Sequence, residues 1–314
     1  MPLAAGIDVG GTKFLGVVVD DDGSVVAETR RPTPQGGDAI VAQLADVVSE
    51  LVAGTHDVAT VGVGLPGLIT RAGAIVASPN LPGVIDLDVA SRVGALLGRA
   101  VSAGNDATCA TLAEWRVGAG RGIDDLVMVT LGTGIGGGAV TGGRLLVGAH
   151  GFAGEFGHMV VDPDGPPCPC GRRGCWERYA SGSGIAHLAR IAAIGRRMEA
   201  VVERGGGDAH DVRGEHVHAA ARDGDAGALA VVDEFARWVA LGLTNLTNAF
   251  DPTVFVLGGG LASGADLYLE PITRWFGELL YAPDLRTPPT LTFAELGERA
   301  GAIGAALLGR DAGR

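Results

Sequence analysis

Three closely spaced cysteines are the most informative chemical feature of this sequence. Cys168, Cys170 and Cys175 lie within the eight-residue segment CPCGRRGC. Zinc binds thiolates and imidazoles in a tetrahedral array, and a loop of this kind supplies three of the four ligands. His158, ten residues upstream, is the best-placed fourth ligand. We therefore predict a zinc site with a structural role, because four protein ligands leave no coordination position open.

Free thiols or a disulfide are the alternative interpretation of this loop. An odd number of loop cysteines, in a chain whose first ten residues lack the pattern of a secretion signal, makes a disulfide framework the weaker explanation. The fourth cysteine, Cys109, is expected on the apolar face of a helix, as part of the core.

Acidic residues at a predicted strand–helix boundary and beside the cysteine loop are the second chemical feature. Asn105 and Asp106 lie where a short apolar strand ends and a helix begins. A carboxylate at such a position can take a proton from a hydroxyl as that oxygen attacks phosphorus. Capping of the helix is the alternative role for this pair. Glu155 and Glu177 flank the zinc loop, where a rigid support would let them hold sugar hydroxyls rather than remain solvated.

A glycine-threonine turn between two strands occurs twice. The first joins Leu3–Val9 to Phe14–Val19 through Gly10-Gly11-Thr12, and the second joins Leu126–Leu131 to Ile135–Val140 through Gly132-Thr133-Gly134. Backbone N–H groups in such turns can approach phosphate oxygens closely because no Cβ intervenes. Two lobes built on one plan, with a phosphate gripped between their turns, would explain the repeat. Two unrelated hairpins are the alternative.

Dinucleotide binding is excluded, although the sequence contains two GxGxxG matches. Glycine accounts for 53 of 314 residues, so such matches arise by chance. A helix must follow the motif in a dinucleotide-binding fold, whereas the residues after Gly137 indicate strand, turn and strand.

Hydrophobic periodicity predicts an α/β chain. The expected strands are Leu3–Val9, Phe14–Val19, Val25–Thr29, Val58–Leu65, Ala100–Ala103, Leu126–Leu131, Ile135–Val140, Leu145–Val147 and Thr253–Leu257. The expected helices are 40–52, Leu87–Leu97, Ala107–Val117, Gly182–Glu203, Glu215–Ala221, Ala226–Phe250 and Gly301–Leu308. We predict a small lobe of residues 1–115 plus 301–314 and a large lobe of residues 116–300 that carries the zinc loop.

Bulk properties narrow the function class. A net charge of −12 argues against nucleic-acid binding, which needs a basic surface. No apolar run reaches the roughly 18 residues of a membrane span. We therefore expect a cytoplasmic protein without nucleic-acid or membrane partners.

These motifs together resemble the ROK family of bacterial sugar kinases and repressors, in particular its zinc-containing, ATP-dependent glucokinases. The resemblance covers nearly the whole chain. The zinc loop combined with the glycine-rich segment around it is highly specific, whereas glycine turns alone would not be. The matching segments are Asp8–Lys13, Leu131–Gly138 continuing through Gly148–Gly154 to His158, Cys168–Cys175, and Gly258–Leu261 near the nucleotide base.

The resemblance implies an actin-like (ribonuclease-H-like), two-lobed sugar kinase fold whose lobes close over sugar and ATP. It implies phosphorylation of glucose at the 6-hydroxyl, as in glycolysis, with Asp106 as general base and Mg²⁺ accompanying ATP. Its sugar-binding residues would be Asn80, Asn105, Asp106, Glu155, His158 and Glu177. Its ATP- and phosphate-binding residues would be Asp8, Gly10, Gly11, Thr12, Lys13, Thr133, Gly134, Gly258 and Gly259, with Asp8 holding Mg²⁺ through water.

Two positions need comment within this resemblance. Gly104 stands where family members commonly carry an acid, which puts the detail of sugar binding in question. Lys13, the chain's only lysine, is a point charge beside the phosphates in this interpretation, or alternatively part of a salt bridge at a strand edge.

Several alternative functions share these motifs. A kinase of N-acetylmannosamine, fructose or allose would need the same pocket residues. A sugar-sensing repressor is disfavoured because the phosphate motif begins at Asp8 and the net charge is negative. Polyphosphate is disfavoured as donor by the cysteine loop, and a catalytically silent zinc protein by Asp106. We expect the chain to form a homo-oligomer, a dimer or a tetramer.

Overall fold

The computed structural model describes residues 3–55, 57–194 and 198–313. These form two compact units. The first comprises Met1–Asp124, Gly138–Gly154 and Glu295–Arg314, and the second comprises Asp125–Gly137 and Glu155–Ala294. The first unit thus extends beyond the predicted small lobe, because residues 116–124, 138–154 and 295–300 pack with it.

The first unit is built on a five-stranded sheet of order β3-β2-β1-β4-β8. Its central strand β1 is antiparallel to β2 and parallel to β4. Strands β1, β2 and β4 are buried along most of their length, whereas β3 is largely exposed and β8 is half-buried. The strand bounds are β1 Leu3–Val9, β2 Lys13–Val19, β3 Val25–Pro32, β4 Val58–Leu65 and β8 Val101–Asn105.

Four helices cover the two faces of this sheet. They are α1 (Gly37–Gly54), α2 (Val89–Leu97), α3 (Asp106–Val117) and α10 (Ala300–Ala312). One core layer lies between the sheet and α1, where Ile40, Leu44 and Val48 are buried at helical spacing. The other lies between the sheet, α3 and α10. The predicted packing of the C-terminal helix onto the first lobe is therefore confirmed.

The contact between α10 and the sheet depends on two glycines. A Cβ placed on Gly6 of β1 would lie 2.0 Å from the Ala302 carbonyl oxygen, and one on Gly62 of β4 would lie 1.8 Å from that of Ala305. No side chain fits at such distances, so glycine lets the α10 backbone lie directly on the strands.

A small three-stranded sheet in the first unit was not predicted. Its strands, β5 (Leu68–Ile69), β6 (Ala74–Ala77) and β7 (Ile85–Asp88), are too short to give a periodic pattern. β7 also corrects the predicted helix Leu87–Leu97. Leu87 pairs with Ile75 in this sheet, and the helix begins at Val89 because the Asp88 carboxylate caps it by accepting from Ser91 N.

The second five-stranded sheet repeats the strand order of the first, β11-β10-β9-β12-β13. β12 lies parallel to both β9 and β13. The strands of this sheet are β9 (Leu126–Leu131), β10 (Ile135–Thr141), β11 (Arg144–Leu145), β12 (Val254–Gly258) and β13 (Thr290–Phe293). The predicted duplication of a strand, glycine turn and strand is therefore part of a larger repeat.

Six helices belong to the described part of the second unit. They are α4 (Glu177–Ala180), α5 (Gly182–Ile194), α6 (Glu199–Arg204), α7 (Gly214–Arg222), α8 (Ala226–Phe250) and α9 (Ala265–Leu279). The predicted single helix Gly182–Glu203 corresponds to α5 and α6, and its residues 195–197 lie outside the described residues. Sequence analysis missed α9, which carries Pro271 in its interior.

Among the described residues, no helix combines the length and the apolar character needed to cross a membrane.

Candidate functional site

The first glycine turn is exposed, and its backbone is held from both sides. Gly10 N donates to Lys13 O at 2.8 Å, which closes the turn between β1 and β2. Thr33, just after β3, donates its hydroxyl to Gly10 O at 2.6 Å and its backbone N–H to Thr12 O at 2.9 Å. Gly11, Thr12 and Lys13 are exposed. A fixed, exposed turn is suited to bind a phosphate.

Asn80 lies beside this turn. A Cβ on Gly11 would stand 3.2 Å from the Asn80 carbonyl oxygen. The structure thus brings Asn80, predicted to bind sugar, next to a residue predicted to bind phosphate. Sequence analysis gave no reason for this neighbourhood, because Asn80 lies in irregular chain before β7.

Two carboxylates, Asp8 and Asp106, share a confined space at the carboxyl ends of β1 and β8. A Cβ on Gly64 would lie 3.5 Å from Asp8 Oδ1 and 3.6 Å from Asp106 Cα, and one on Gly301 would lie 2.7 Å from Asp8 Cγ. Burial, and then the charge of Asp106, raises the pKa of the Asp8 carboxyl to about 7, against a smaller lowering by Lys13. Two acids in one desolvated space favour a bound cation.

The helix cap at α3 is Asn105, and Asp106 is the first residue of the helix. Asn105 Oδ1 accepts from Thr108 N at 3.0 Å, and its Nδ2 donates to Gly67 O at 3.1 Å. Asp106 Oδ1 accepts from Ala107 N at 2.8 Å. The capping alternative thus describes Asn105, while the Asp106 carboxylate is oriented by the first turn of the helix.

Gly104, where an acid was expected from the resemblance, lies next to α10. A Cβ at position 104 would lie 2.9 Å from Leu308 Cδ2 of α10. This methyl group is the end of a flexible side chain, so the contact alone does not exclude a larger residue.

The four predicted zinc ligands converge in the second unit. The ligand atoms of His158, Cys168, Cys170 and Cys175 all lie within 4.8 Å of one another. His158 Nδ1 is 3.9 Å from Cys168 Sγ, and the Cys170 and Cys175 sulfur atoms are 3.5 Å apart. Three thiolates and one imidazole at these separations match the donor set of a closed zinc site.

Glu155 and Glu177 lie on either side of His158. Glu155 Oε2 is 3.9 Å from His158 Nε2, and Glu177 Oε1 is 4.0 Å from Nδ1. The pKa of Glu155 is raised, mainly by burial and also by the charge of Glu177, although His158 opposes the rise. The structure thus brings two carboxylates close to one histidine, and their binding of sugar stays a prediction.

Glu177 also connects the cysteine loop, Cys168–Cys175, to the second glycine turn. Its Oε2 accepts from Ile135 N at 3.3 Å, and a Cβ on Gly134 would lie only 2.7 Å from that oxygen. The turn is held further by Gly182 N, which donates to Gly132 O at 2.7 Å, and Thr133 is exposed at its tip.

Gly258 and Gly259 lie at the edge of the second sheet where β9 leads into the second glycine turn. Gly258 ends β12, which runs parallel to β9. Gly259 has a φ of 84°, and a Cβ there would lie 2.6 Å from the Leu131 carbonyl oxygen. Only glycine fits this backbone conformation so close to a strand end. In parallel sheets, ligands bind at the carboxyl ends of strands.

Sequence analysis missed two residues that act on the first turn. Thr33 has the hydrogen bonds described above, and Glu298 forms an ion pair with Lys13 at 2.8 Å between Oε2 and Nζ. The salt-bridge alternative for Lys13 is therefore observed. Glu298 lies 285 positions along the chain from Lys13, so no local pattern could have indicated the pair.

Comparison with known proteins gives a consistent result. The ROK family profile matches residues 4–312. The chain is 38% identical to the glucokinase of Streptomyces coelicolor, covering 99% of this chain and 98% of that protein. It is 35% identical to the N-acetylmannosamine kinase of Escherichia fergusonii, covering 96% of each.

A solved structure agrees with these matches. It is a ROK family glucokinase from Streptomyces griseus in complex with glucose and AMPPNP, 37% identical with a TM-score of 0.86, covering 98% of this chain and 99% of that one. The α/β, actin-like (ribonuclease-H-like) fold class predicted from the sequence is confirmed, with two sheets of one strand order. A family profile and relatives that extend over nearly the whole chain leave one assignment: this chain belongs to the ROK family.

Proposed function

We propose that this protein is a glucokinase that transfers the terminal phosphoryl group of ATP to the 6-hydroxyl of glucose. The observation that carries the proposal is the full-length similarity to glucokinases, one solved with glucose and an ATP analogue. The structure adds groups of the required kinds. In the first unit they are an oriented carboxylate, Asp106, near Asp8, and an exposed turn suited to phosphate; in the second they are carboxylates near a histidine.

Asp106 acts as the general base in this proposal. The 6-hydroxyl must lose its proton as its oxygen bonds to phosphorus, and a positioned carboxylate accepts that proton. The bond from Ala107 N fixes the orientation of the Asp106 carboxylate. Asp8, whose pKa is raised by burial and then by the charge of Asp106, would hold through water the Mg²⁺ that accompanies ATP. A cation bound there would favour the charged form of the Asp8 carboxyl.

Each of the two turns offers groups that can bind a phosphate of ATP. Gly10, Gly11 and Thr12 in the first turn, and Thr133 and Gly134 in the second, offer backbone N–H groups and hydroxyls, and Gly258 and Gly259 would leave room for the nucleotide base. Lys13 adds a positive charge at the end of a flexible side chain, which can reach the phosphates.

The sugar hydroxyls bind to Asn80, Asn105, Glu155, His158 and Glu177. Asn105 retains one amide N–H beyond its bond to Gly67 O, since an amide nitrogen carries two hydrogens. His158 Nδ1 faces the cysteine cluster, so Nε2, on the side of Glu155, can donate to a hydroxyl.

Zinc at His158, Cys168, Cys170 and Cys175 has a structural role in this proposal. The ion would supply no step of the phosphoryl transfer, since its four ligands are all protein groups. Those residues fix the loop that presents Glu177, and through Glu177 they fix Ile135 at the second turn.

A coupled assay of ADP release tests the proposal most directly. Glucose, N-acetylmannosamine, fructose and allose are offered as acceptors, and ATP or polyphosphate as donor. We expect the highest kcat/KM with glucose and ATP. The second candidate is an N-acetylmannosamine kinase, favoured only by the 35% identity to such an enzyme. A higher kcat/KM with that sugar would support it and overturn the glucose assignment. We further propose a homo-oligomer located in the cytoplasm, which light scattering and cell fractionation would test.

A further inference from the structure

Lys13 is the only lysine of the chain, and its ammonium group already has a partner. Glu298 Oε2 lies 2.8 Å from Lys13 Nζ, and the two side chains are 51% and 52% exposed. Exposed ion pairs are weak, so such a pair can exchange one partner for another.

Glu298 belongs to a larger chain of charges on the first unit. Its second oxygen, Oε1, binds Arg30 of β3. Arg30 also binds Glu28 at 3.0 Å, and Glu28 in turn binds Arg299 Nε at 2.7 Å. Three cations thus share two carboxylates. Hydrogen bonds from Arg30 and then Lys13 lower the pKa of Glu298 to about 2, so it stays charged at neutral pH.

The backbone around Lys13 is fixed, whereas the side chain is held only at its tip. The Gly10–Lys13 and Thr33 hydrogen bonds hold the turn. Glu298 is the one residue with an ion pair to the Lys13 ammonium group in the part of the chain that the structure describes. Glu298 lies in the short helical turn Gly297–Arg299 that leads into α10, and Gly301 in α10 packs against Asp8.

We propose that Glu298 binds the Lys13 ammonium group in the nucleotide-free protein and competes for it with the nucleotide's terminal phosphates. The proposal rests on the glucokinase function. When ATP binds, the ammonium exchanges one carboxylate oxygen for a phosphate oxygen. Glu298 retains Arg30 as a partner, so the exchange leaves no carboxylate unpaired. The salt-bridge and phosphate-binding roles of Lys13 are thus two states of one side chain.

The first test compares Glu298→Gln with Glu295→Gln. Both variants remove one exposed negative charge from the same segment, but among the described residues the Glu295 carboxylate has no ion pair. We expect Glu298→Gln to lower the KM for ATP roughly two- to fivefold, the range of an exposed pair, without changing kcat or the KM for glucose. Glu295→Gln should leave all three unchanged. Equal effects of the two variants, or a higher KM for ATP in Glu298→Gln, would overturn the proposal.

The second test uses Lys13 as a chemical reporter and does not depend on activity. Acetylation by acetic anhydride is followed by peptide mass spectrometry, which separates Lys13 from the N-terminal amine. Without nucleotide, Glu298→Gln should raise the labelling rate of Lys13 about fivefold, because the ammonium loses its carboxylate partner. AMPPNP should protect Lys13 in both proteins.

The outcomes distinguish this inference from the proposed function. Unchanged labelling in Glu298→Gln, or no protection by AMPPNP, overturns the inference even if glucose is phosphorylated. Faster labelling with protection by AMPPNP supports the exchange even if the preferred sugar proves to be different. A melting temperature equal to that of the unmodified protein confirms that the variant is folded.

Discussion

The two glycine-threonine hairpins have the same strand plan but are stabilised in different ways. The turn after β1 is held by a side chain, Thr33, and is bordered by charged groups, Asp8 and Lys13. The turn after β9 is held by the backbone of Gly182 and by Glu177, which is tied to the cysteine loop. The comparison indicates a division of labour. In the proposed function, the first hairpin would supply charge for the chemistry, and the second would supply a rigid support.

The largest expected effect is on the chemistry assigned to the first unit. Asp106→Asn keeps the size and most of the hydrogen bonding of the side chain but removes its basicity. We expect kcat to fall by roughly 10²–10⁴, the usual contribution of a positioned base, while glucose still binds. Steady-state kinetics and calorimetric titration with glucose measure the two quantities. Near-normal turnover in Asp106→Asn, with loss of turnover in Glu155→Gln or Glu177→Gln, would move the base to the second unit.

The support assigned to the second unit is tested by Cys170→Ser. Loss of one zinc ligand should destabilise the protein by at least about 3 kcal/mol and lower its melting temperature by roughly 6–12 °C, because metal binding and folding are coupled. Metal analysis should find one zinc per chain in the unmodified protein. Cys109→Ala is the control, since Cys109 is buried away from the cysteine loop and its loss should leave the zinc content intact. Active protein without zinc would contradict the structural role.

The acidic pair predicts a dependence of stability on pH. Burial and the charge of Asp106 raise the folded-state pKa of Asp8 to about 7 from an ordinary value of 3.8. The folded protein therefore binds the extra proton, and stability falls as pH rises from about 4 to about 7. Asp8→Asn removes this fall. Without ligand or Mg²⁺, we expect it to be more stable than the unmodified protein at pH 8, by at most about 4 kcal/mol, and similar at pH 4.

Urea unfolding at the two pH values measures this difference. Asp46→Asn, on the exposed side of α1, makes the same substitution at an exposed site and should leave the pH profile unchanged. Parallel profiles for the unmodified protein and Asp8→Asn would show that Asp8 is not confined as described.

The smallest expected effect comes from removing one threonine hydrogen bond from each of the two hairpins. Thr33→Val removes the 2.6 Å hydrogen bond to Gly10 O and should cost about 0.5–1.5 kcal/mol with a moderate rise in the KM for ATP. Thr130→Val removes the 3.1 Å bond to Gly136 N in the second hairpin at similar cost. Its KM for ATP should change less, because Gly182 N still holds Gly132 O. A larger rise in KM from Thr130→Val would reverse the comparison.

Residues close in sequence were the part of this structure that sequence analysis predicted well. The bounds of β1, β4, β9 and α8 agree with the predicted ones, because apolar runs and helical spacing are local signals. The cysteine loop and His158 are likewise neighbours in the chain. Helix α9 was missed because Pro271 interrupts its pattern, and β5–β7 because strands of two to four residues have no measurable period.

Contacts between distant segments could not be predicted. Glu114, fully buried, accepts hydrogen bonds from Ala119 N, Glu295 N and Leu296 N, and this connects α3 to a segment about 180 residues later. The Lys13–Glu298 pair is of the same kind. Such partners are set by tertiary packing, and a single sequence contains no local trace of them.

The close packing of α10 against Gly6 and Gly62 affects the order in which the chain can fold during synthesis. Every residue of the second unit leaves the ribosome before Ala300–Ala312 does. Until then the face of β1 and β4 that this helix covers has no partner, and its glycines offer bare backbone. Domains generally fold as units during translation, N-terminal first, but here the N-terminal sheet receives its last covering helix after the second unit has been synthesised. The nascent chain therefore passes through a stage in which the later unit can be folded while the earlier one still waits for its final helix.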